Sequence, residues 1–174
     1  PGKFNLKIVS IRDASKSAKT FTFESETGHI PYFKAGQFLT LEFHIGKSLV
    51  TRPYSISSAP YQTRGEHPIV EITVRKSKGD GFISDYLYHE AKIGDVFLSE
   101  VGLGQFFYEP LRDAGHVLAL AGGSGITPFV SMAKEIKNGK LDVDLTILYG
   151  SVSEDDIILK DELDDCLCDK VHVI

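Results

Sequence analysis

Three short segments of this chain carry residue types that can do chemistry together. Arg52-Pro53-Tyr54-Ser55 sets a cation and an aromatic ring two residues apart. Side chains alternate along an extended strand, so Arg52, Tyr54 and Ile56 are expected on one face and Pro53, Ser55 and Ser57 on the other. An aromatic face beside a forked donor suits a flat conjugated ring joined to a phosphate. Gly81-Phe82-Ile83-Ser84 reads as the opening of a helix, where unpaired amide groups attract anions and Ser84 adds a hydroxyl. The strand ahead of it ends in Thr73-Val74-Arg75-Lys76, which brings backbone groups and two cations to the same place. Gly122-Gly123-Ser124-Gly125-Ile126-Thr127-Pro128 is a second anion-receiving start. It follows an apolar run and enters a helix, with proline tolerated in the first turn and Thr127 able to cap.

Each segment has a plainer explanation: a core tyrosine with a surface arginine, an ordinary N-capped helix, and a tight turn that needs glycine for its backbone. In the third segment Pro128 stands where the common dinucleotide fingerprint has its last glycine. No Gly-Lys-Ser/Thr follows, which excludes a nucleoside-triphosphate loop. Taken in order, the three segments supply what a flavin dinucleotide and a nicotinamide dinucleotide need.

The elements that must hold these residues change character near Leu111. Before it, short alternating runs are separated by turn residues: 6–12, 20–25, 37–43, 52–57, 69–76 and 95–100. They predict about six antiparallel strands in a small Greek-key barrel. One helix, Phe82 to Glu90, interrupts them, with Asp80 or Gly81 at its start. After it come an apolar strand over 117–121, a helix from Pro128 to Lys137 closed by Asn138-Gly139, and a second strand over 145–149. Ser153-Glu154-Asp155-Asp156 reads as a capping box opening a helix through Leu163. Val171 to Ile174 begins a third strand, so the sheet is expected to be parallel and left half built. The expected division is an antiparallel barrel over residues 1–110, then the first part of a parallel α/β domain over 111–174.

Composition restricts the partners. The chain has 174 residues, enough for a packed core, and a formal net charge of −5 that would not gather nucleic acid. No apolar run approaches the roughly 18 residues of a membrane span, and no signal-peptide core opens the chain. A cytoplasmic protein without membrane insertion is expected. Cys166 and Cys168 lack histidines at ligand spacing, so no metal site is expected. The six histidines fall at turns and element ends without a partner pattern and read as structural or solvated.

The segments 52–55, 81–84 and 121–128, Phe33-Lys34-Ala35-Gly36-Gln37-Phe38, and Tyr149-Gly150 followed by Asp156 and Glu162-Leu163 resemble the ferredoxin–NADP reductase-like flavoproteins. The resemblance runs through essentially the whole chain and implies that the barrel binds FAD and the α/β domain NAD(P). It implies that Tyr54 stacks on the flavin ring, with Pro53 beside it, and that Ser55 lies near the flavin N5. It implies further that Arg52 and Ser84, with Gly81, Phe82 and Ile83, hold the FAD pyrophosphate, and that Thr73, Val74 and Arg75 line the flavin. Gly122, Gly123, Ser124, Gly125, Thr127, Tyr149 and Gly150 would take the nicotinamide dinucleotide, with Thr127 near the meeting point of the two rings. Ser55 and Thr127 are thus the residues expected at the reacting atoms, in positional roles.

Departures from the family pattern also carry expectations. Val101-Gly102-Leu103-Gly104-Gln105-Phe106 replaces the usual Gly-Pro-x-Gly-x-Phe. Ser151-Val152-Ser153 stands where NADP-using relatives carry an arginine, which favours NADH over NADPH. The family's Cys-Gly-Pro motif is absent, so part of the hydride-transfer site is expected to lie outside this chain. The resemblance implies a flavin-dependent reductase passing electrons from NAD(P)H to an iron–sulfur protein, a fused iron–sulfur domain or another one-electron acceptor. The alternative is a flavin-holding subunit or module without turnover of its own.

Overall fold

The computed structural model describes residues 2–77, 79 and 81–174. Asp80, one of the two expected helix starts, lies outside the described residues. Strands β1 (Phe4–Ser15), β2 (Ala18–Ser25), β3 (Phe38–Ile45), β4 (Ser48–Ser55), β5 (Ile69–Arg75) and β6 (Val96–Leu103) form one antiparallel sheet in the order β4-β3-β6-β1-β2-β5. The sheet curls until its edge strands approach, but among the described residues they meet only at the bridge between Ile56 and Ile72 and the adjoining Ser57–Glu71 main-chain bond. It is therefore barrel-like and not closed. Alternation explains the curl's interior: Leu6, Ile8, Phe21, Phe23, Leu39, Leu41 and Ile72 are buried together. Helix α1 (Phe82–His89) adds Ile83 and Leu87 to this cluster.

Strand β4 begins four residues earlier than the alternation predicts. Ile45 pairs with Ser48 across a two-residue turn, which carries Ser48 to Thr51 into the ladder. These residues sit on a sheet edge and are largely exposed, so no apolar period marks them.

The second half contains β7 (His116–Gly122), α2 (Thr127–Lys137), β8 (Asp144–Gly150), α3 (Lys160–Cys166) and β9 (Val171–Val173), with the three strands parallel in the order β7-β8-β9. Ala119, Ala121, Leu145 and Ile147 pack in one cluster with Ile126, Val130, Ala133 and Ile136 of the α2 arm. The run over 117–121 is not buried on both faces as expected for a parallel strand, since Leu118 and Leu120 are 61% and 72% exposed.

The expected helix from Ser153 to Leu163 does not form as one piece. Residues Glu154–Asp156 make a 3₁₀ turn, Leu159 adopts a left-handed φ of 59°, and α3 starts only at Lys160. The cause is tertiary. The carboxylate of Asp156 is buried and accepts hydrogen bonds from Ser15 (2.9 Å) and Ser17, and the Leu159 amide donates to the Ala14 carbonyl (2.9 Å). Docking on the β1–β2 turn overrides the local preference for one continuous helix. The Ser153 hydroxyl bonds Asp155 (2.5 Å) instead of capping a helix.

The two halves share a polar seam. Glu71 of β5 is buried and accepts from Arg12 (2.6 and 3.3 Å) and Thr22 (2.9 Å), with Lys134 of α2 at 3.7 Å. Arg12 also reaches Glu162 of α3 (2.8 Å). Ser131 donates to the Ser58 carbonyl (2.7 Å), and the Tyr61 amide donates to Glu135 (2.6 Å). Burial pushes Glu71 upward, but Arg12 foremost, then Lys134 and Thr22, hold it below the usual carboxylate value.

Candidate functional site

Strand β5 is the common neighbour of the pieces singled out by the sequence. It contacts β4, α1 and the 3₁₀ turn Gly123–Ile126. Its position comes from pairing with β2 along its whole length, Ala18 opposite Arg75 through Glu24 opposite Ile69.

On β4, burial deepens along one face: Arg52 is exposed, Tyr54 is half-buried against the barrel core, and Ile56 is fully buried. Arg52 donates to the carbonyl of Thr51 (3.0 Å) and pairs with no carboxylate among the described residues. Burial pushes the Tyr54 phenol up to about 12, against a smaller opposing pull from Arg52. Pro53 is exposed and Ser55 half-buried, while Ser57, expected on their face, is fully buried. β4 pairs with β3 on one side, from Phe38–Ser55 to Ile45–Ser48, and is an edge of the sheet on the other. The surface bearing Arg52 and Tyr54 thus stands beside an open sheet edge.

Gly81 is the N-cap of α1 and makes no side-chain cap bond. A Cβ there would lie 2.3 Å from the Cβ of Ser77 and 2.7 Å from the Ser84 Oγ, so only glycine lets these segments meet. Ser84 donates to the Gly81 carbonyl (2.9 Å), and Asp85 accepts from the Ser77 amide (2.9 Å). The helix start keeps amide donors without a capping side chain. Phe82 is 65% exposed at the mouth, and Ile83 is buried.

The β5 residues divide by role. Thr73 is buried with its hydroxyl shared between Thr20 (2.9 Å) and Ser57 (3.0 Å), and Val74 belongs to the core. Their main chain alone is left to face a ligand. Arg75 has its Nε on Ser17 (3.0 Å) and its Nη2 on Asp156.

At the second helix start, Gly122 and Gly150 face each other at the carboxyl ends of β7 and β8. That is where open parallel sheets receive ligands. Gly123 has φ of 52°, and the Tyr149 hydroxyl donates to its carbonyl (3.0 Å). Ser124 and Gly125 continue the turn. Thr127 is buried as the first residue of α2, and its hydroxyl donates to the Ser124 carbonyl (3.1 Å); it does not cap by accepting, as the sequence predicts. A cleft of about 350 Å³ beyond β8 is lined by residues including Tyr149, Ser151, Ser153, Glu154 and Lys160.

An FAD fits these residues chemically. An unpaired surface arginine and an uncapped helix start are donors for a diphosphate, and a half-buried tyrosine supplies a face for the ring. Sequence reasoning named Tyr149 but not its bond to the Gly123 carbonyl, and it missed Ser15 and Ser17 as determinants of the second loop's surroundings. No spacing rule announces them, because they meet only through the packing of β1–β2 against the 154–159 segment.

The fold and site define a two-part nucleotide-binding protein, a curled antiparallel sheet joined to a parallel α/β unit. Comparison with known proteins agrees: residues 5–108 match the oxidoreductase FAD-binding domain family and residues 119–170 the oxidoreductase NAD-binding domain family. The chain belongs to the ferredoxin–NADP reductase-like family of FAD-binding oxidoreductase domains. It is 31% identical over 163 residues to the glycine betaine monooxygenase reductase subunit of Chromohalobacter salexigens, covering 94% of this chain and 43% of that protein. It is 32% identical to ferredoxin–NADP reductase B of Sorangium cellulosum, covering 92% of this chain and 63% of that protein. Among solved structures, phthalate dioxygenase reductase superposes with a TM-score of 0.81 at 25% identity, covering 99% of this chain and 51% of that one. The chain therefore spans about half the length of relatives it matches.

Proposed function

We propose that this chain is the flavin-holding and dinucleotide-receiving part of an NAD(P)H-dependent reductase that delivers electrons to an iron–sulfur or other one-electron acceptor. The observation that carries this reading is the convergence on β5: Arg52 and Tyr54 through β4, the helix start of α1, and the glycine turn before α2 all adjoin one strand. Two nucleotide-receiving surfaces are thereby neighbours, as electron transfer between two cofactors requires. FAD, when bound, would supply the two-electron to one-electron conversion. The protein's own part is placement. Tyr54 offers its ring face, Arg52 and the Gly81–Ser84 start neutralise the diphosphate, and Ser55 stands by the ring edge. Val74 and Arg75 contribute main-chain groups, and Thr127 lies at the head of α2 where the nicotinamide end would arrive. The division into residues 1–110 for FAD and 111–174 for the dinucleotide belongs to the same proposal.

NADH is favoured over NADPH. The cleft after β8 carries Glu154 and Asp164, and its cation Lys160 is already engaged by Asp164 (2.5 Å). No arginine fork is among its lining residues to meet a 2′-phosphate. An iron–sulfur acceptor is supported by relatives named as the reductase component of a monooxygenase and as a carrier from pyridine nucleotides to [2Fe-2S]. The test is anaerobic titration of the flavin-loaded protein with each dinucleotide. The visible flavin bands are expected to bleach at lower NADH than NADPH. A protein that holds flavin yet responds to neither would favour a flavin-holding module without turnover, or a hydride-transfer site that needs residues outside these 174.

A further inference from the structure

The glycine turn before α2 is braced from outside its own unit. Arg75, at the end of β5, is fixed by Ser17 (3.0 Å) and by Asp156, and Asp156 also accepts from Ser15 (2.9 Å) and Ser17. The Nη1 of Arg75 lies only 2.8 Å from where a Cβ on Gly123 would stand, so the guanidinium packs directly against the turn. On its other side, the Tyr149 hydroxyl donates to the Gly123 carbonyl and accepts from the Ile158 amide, both at 3.0 Å. Asp156 and Ile158 belong to the one short segment docked on the barrel by the Lys16–Asp155 and Leu159–Ala14 main-chain bonds (3.2 and 2.9 Å).

We infer that Asp156, acting through Arg75, is a positioning residue for the dinucleotide loop, with the Tyr149 hydroxyl, held by the Ile158 amide, bracing the same turn from its other side, so that the barrel sets the geometry with which Gly122 to Gly125 receives a nicotinamide dinucleotide. The chemistry supports a role beyond a simple surface pair. The Arg75 and Asp156 side chains are 22% and 10% exposed, both oxygens of Asp156 are engaged, and Ser17 bridges acid and base. Ser17 foremost, against burial, and then Ser15 and Arg75 hold the Asp156 carboxyl below its ordinary range, so it stays charged at neutral pH. A carboxylate placed only to cap a helix would need none of these partners. Gly123 has its left-handed backbone where the bracing meets it, and a turn held from two sides loses less freedom when a ligand orders it.

This inference rests on the dinucleotide reading above, and two measurements separate them. The first needs no ligand: amide hydrogen exchange of the 122–127 segment in wild type, Asp156→Asn and Tyr149→Phe. Loss of a charge-assisted bond is expected to speed exchange there by about tenfold, with barrel strands unchanged. The second is calorimetric binding of oxidised nicotinamide dinucleotide to the flavin-loaded protein. Both variants are expected to bind about tenfold more weakly while keeping wild-type flavin content, and to raise KM more than they lower kcat. Wild-type exchange and affinity in both variants would overturn the positioning role while leaving the dinucleotide reading intact. Faster exchange throughout the chain would equally overturn it, since that marks a general clamp. A wild-type protein that binds no dinucleotide would overturn both.

Discussion

Arg52 and Tyr54 are legible in sequence because their chemistry is local: two residues on one strand face need no tertiary information to be neighbours. The structure adds that Arg52 is free of carboxylates among the described residues and that Tyr54 leans on the core. Arg52→Ala is therefore expected to leave the fold intact and weaken FAD binding by roughly 1.5–3 kcal/mol, read by equilibrium titration of the stripped protein. Tyr54 carries a prediction in alkali. Its folded-state value is raised from 10.0 to about 12, so the stability gained by burying the neutral phenol is complete below pH 10 and is lost as pH rises toward about 12. In chemical denaturation across that window, Tyr54→Phe should lose less stability than wild type. Equal losses would mean that the phenol is not desolvated. The roles of Arg75 and Asp156 were not legible in this way. Both stand in motifs that read as a flavin lining and a helix cap, and only the docking of distant segments turns them toward each other.

Periodicity recovered most elements: the six-strand curl, α1, the β7–α2–β8 unit and the closure of α2 at Asn138-Gly139 follow from alternation, helical spacing and turn residues. It missed where tertiary contacts outweigh local preference. The exposed half of β4 has no apolar rhythm, and the Ser153 segment breaks at Leu159 because Asp156 is worth more bonded to the barrel than inside a helix. The start of α1 offers the test at this scale. Gly81→Ala would bring a Cβ to 2.3 Å from the Ser77 Cβ, backbone-proximal atoms that cannot swing aside. The helix start must shift, with an expected stability loss of roughly 1–3 kcal/mol. Thermal melting and cofactor content should fall together; a melting point and flavin content equal to wild type would show that this close approach is not maintained in solution.

The whole molecule is organised by a seam in which buried charge joins the two halves. Glu71, at 5% exposure, is hydrogen-bonded to Arg12 and Thr22 and ion-paired with Lys134, and Arg12 continues to Glu162. Glu71→Ala removes the buried partner while Arg12 keeps Glu162 and Lys134 keeps the Ser57 carbonyl, and is expected to cost roughly 1–3 kcal/mol, measured by denaturant unfolding. Acid acts on the same seam. Glu71 and Asp156 both have folded-state values below their ordinary 4.5 and 3.8, so their contribution is present above those values and is lost as pH falls through the lowered ones. Calorimetry near neutrality should give one cooperative transition whose midpoint drops steeply only below about pH 4.5. Two resolved transitions at neutral pH would show that the seam does not couple the halves.

The central claim, that the surface converging on β5 holds FAD, is tested most directly by purifying the chain and identifying what it retains. A yellow protein releasing one FAD per chain on denaturation is expected, or, if it is isolated stripped, one that recovers that stoichiometry on incubation with FAD. A colourless protein that takes up neither FAD nor FMN at saturating concentration would contradict it.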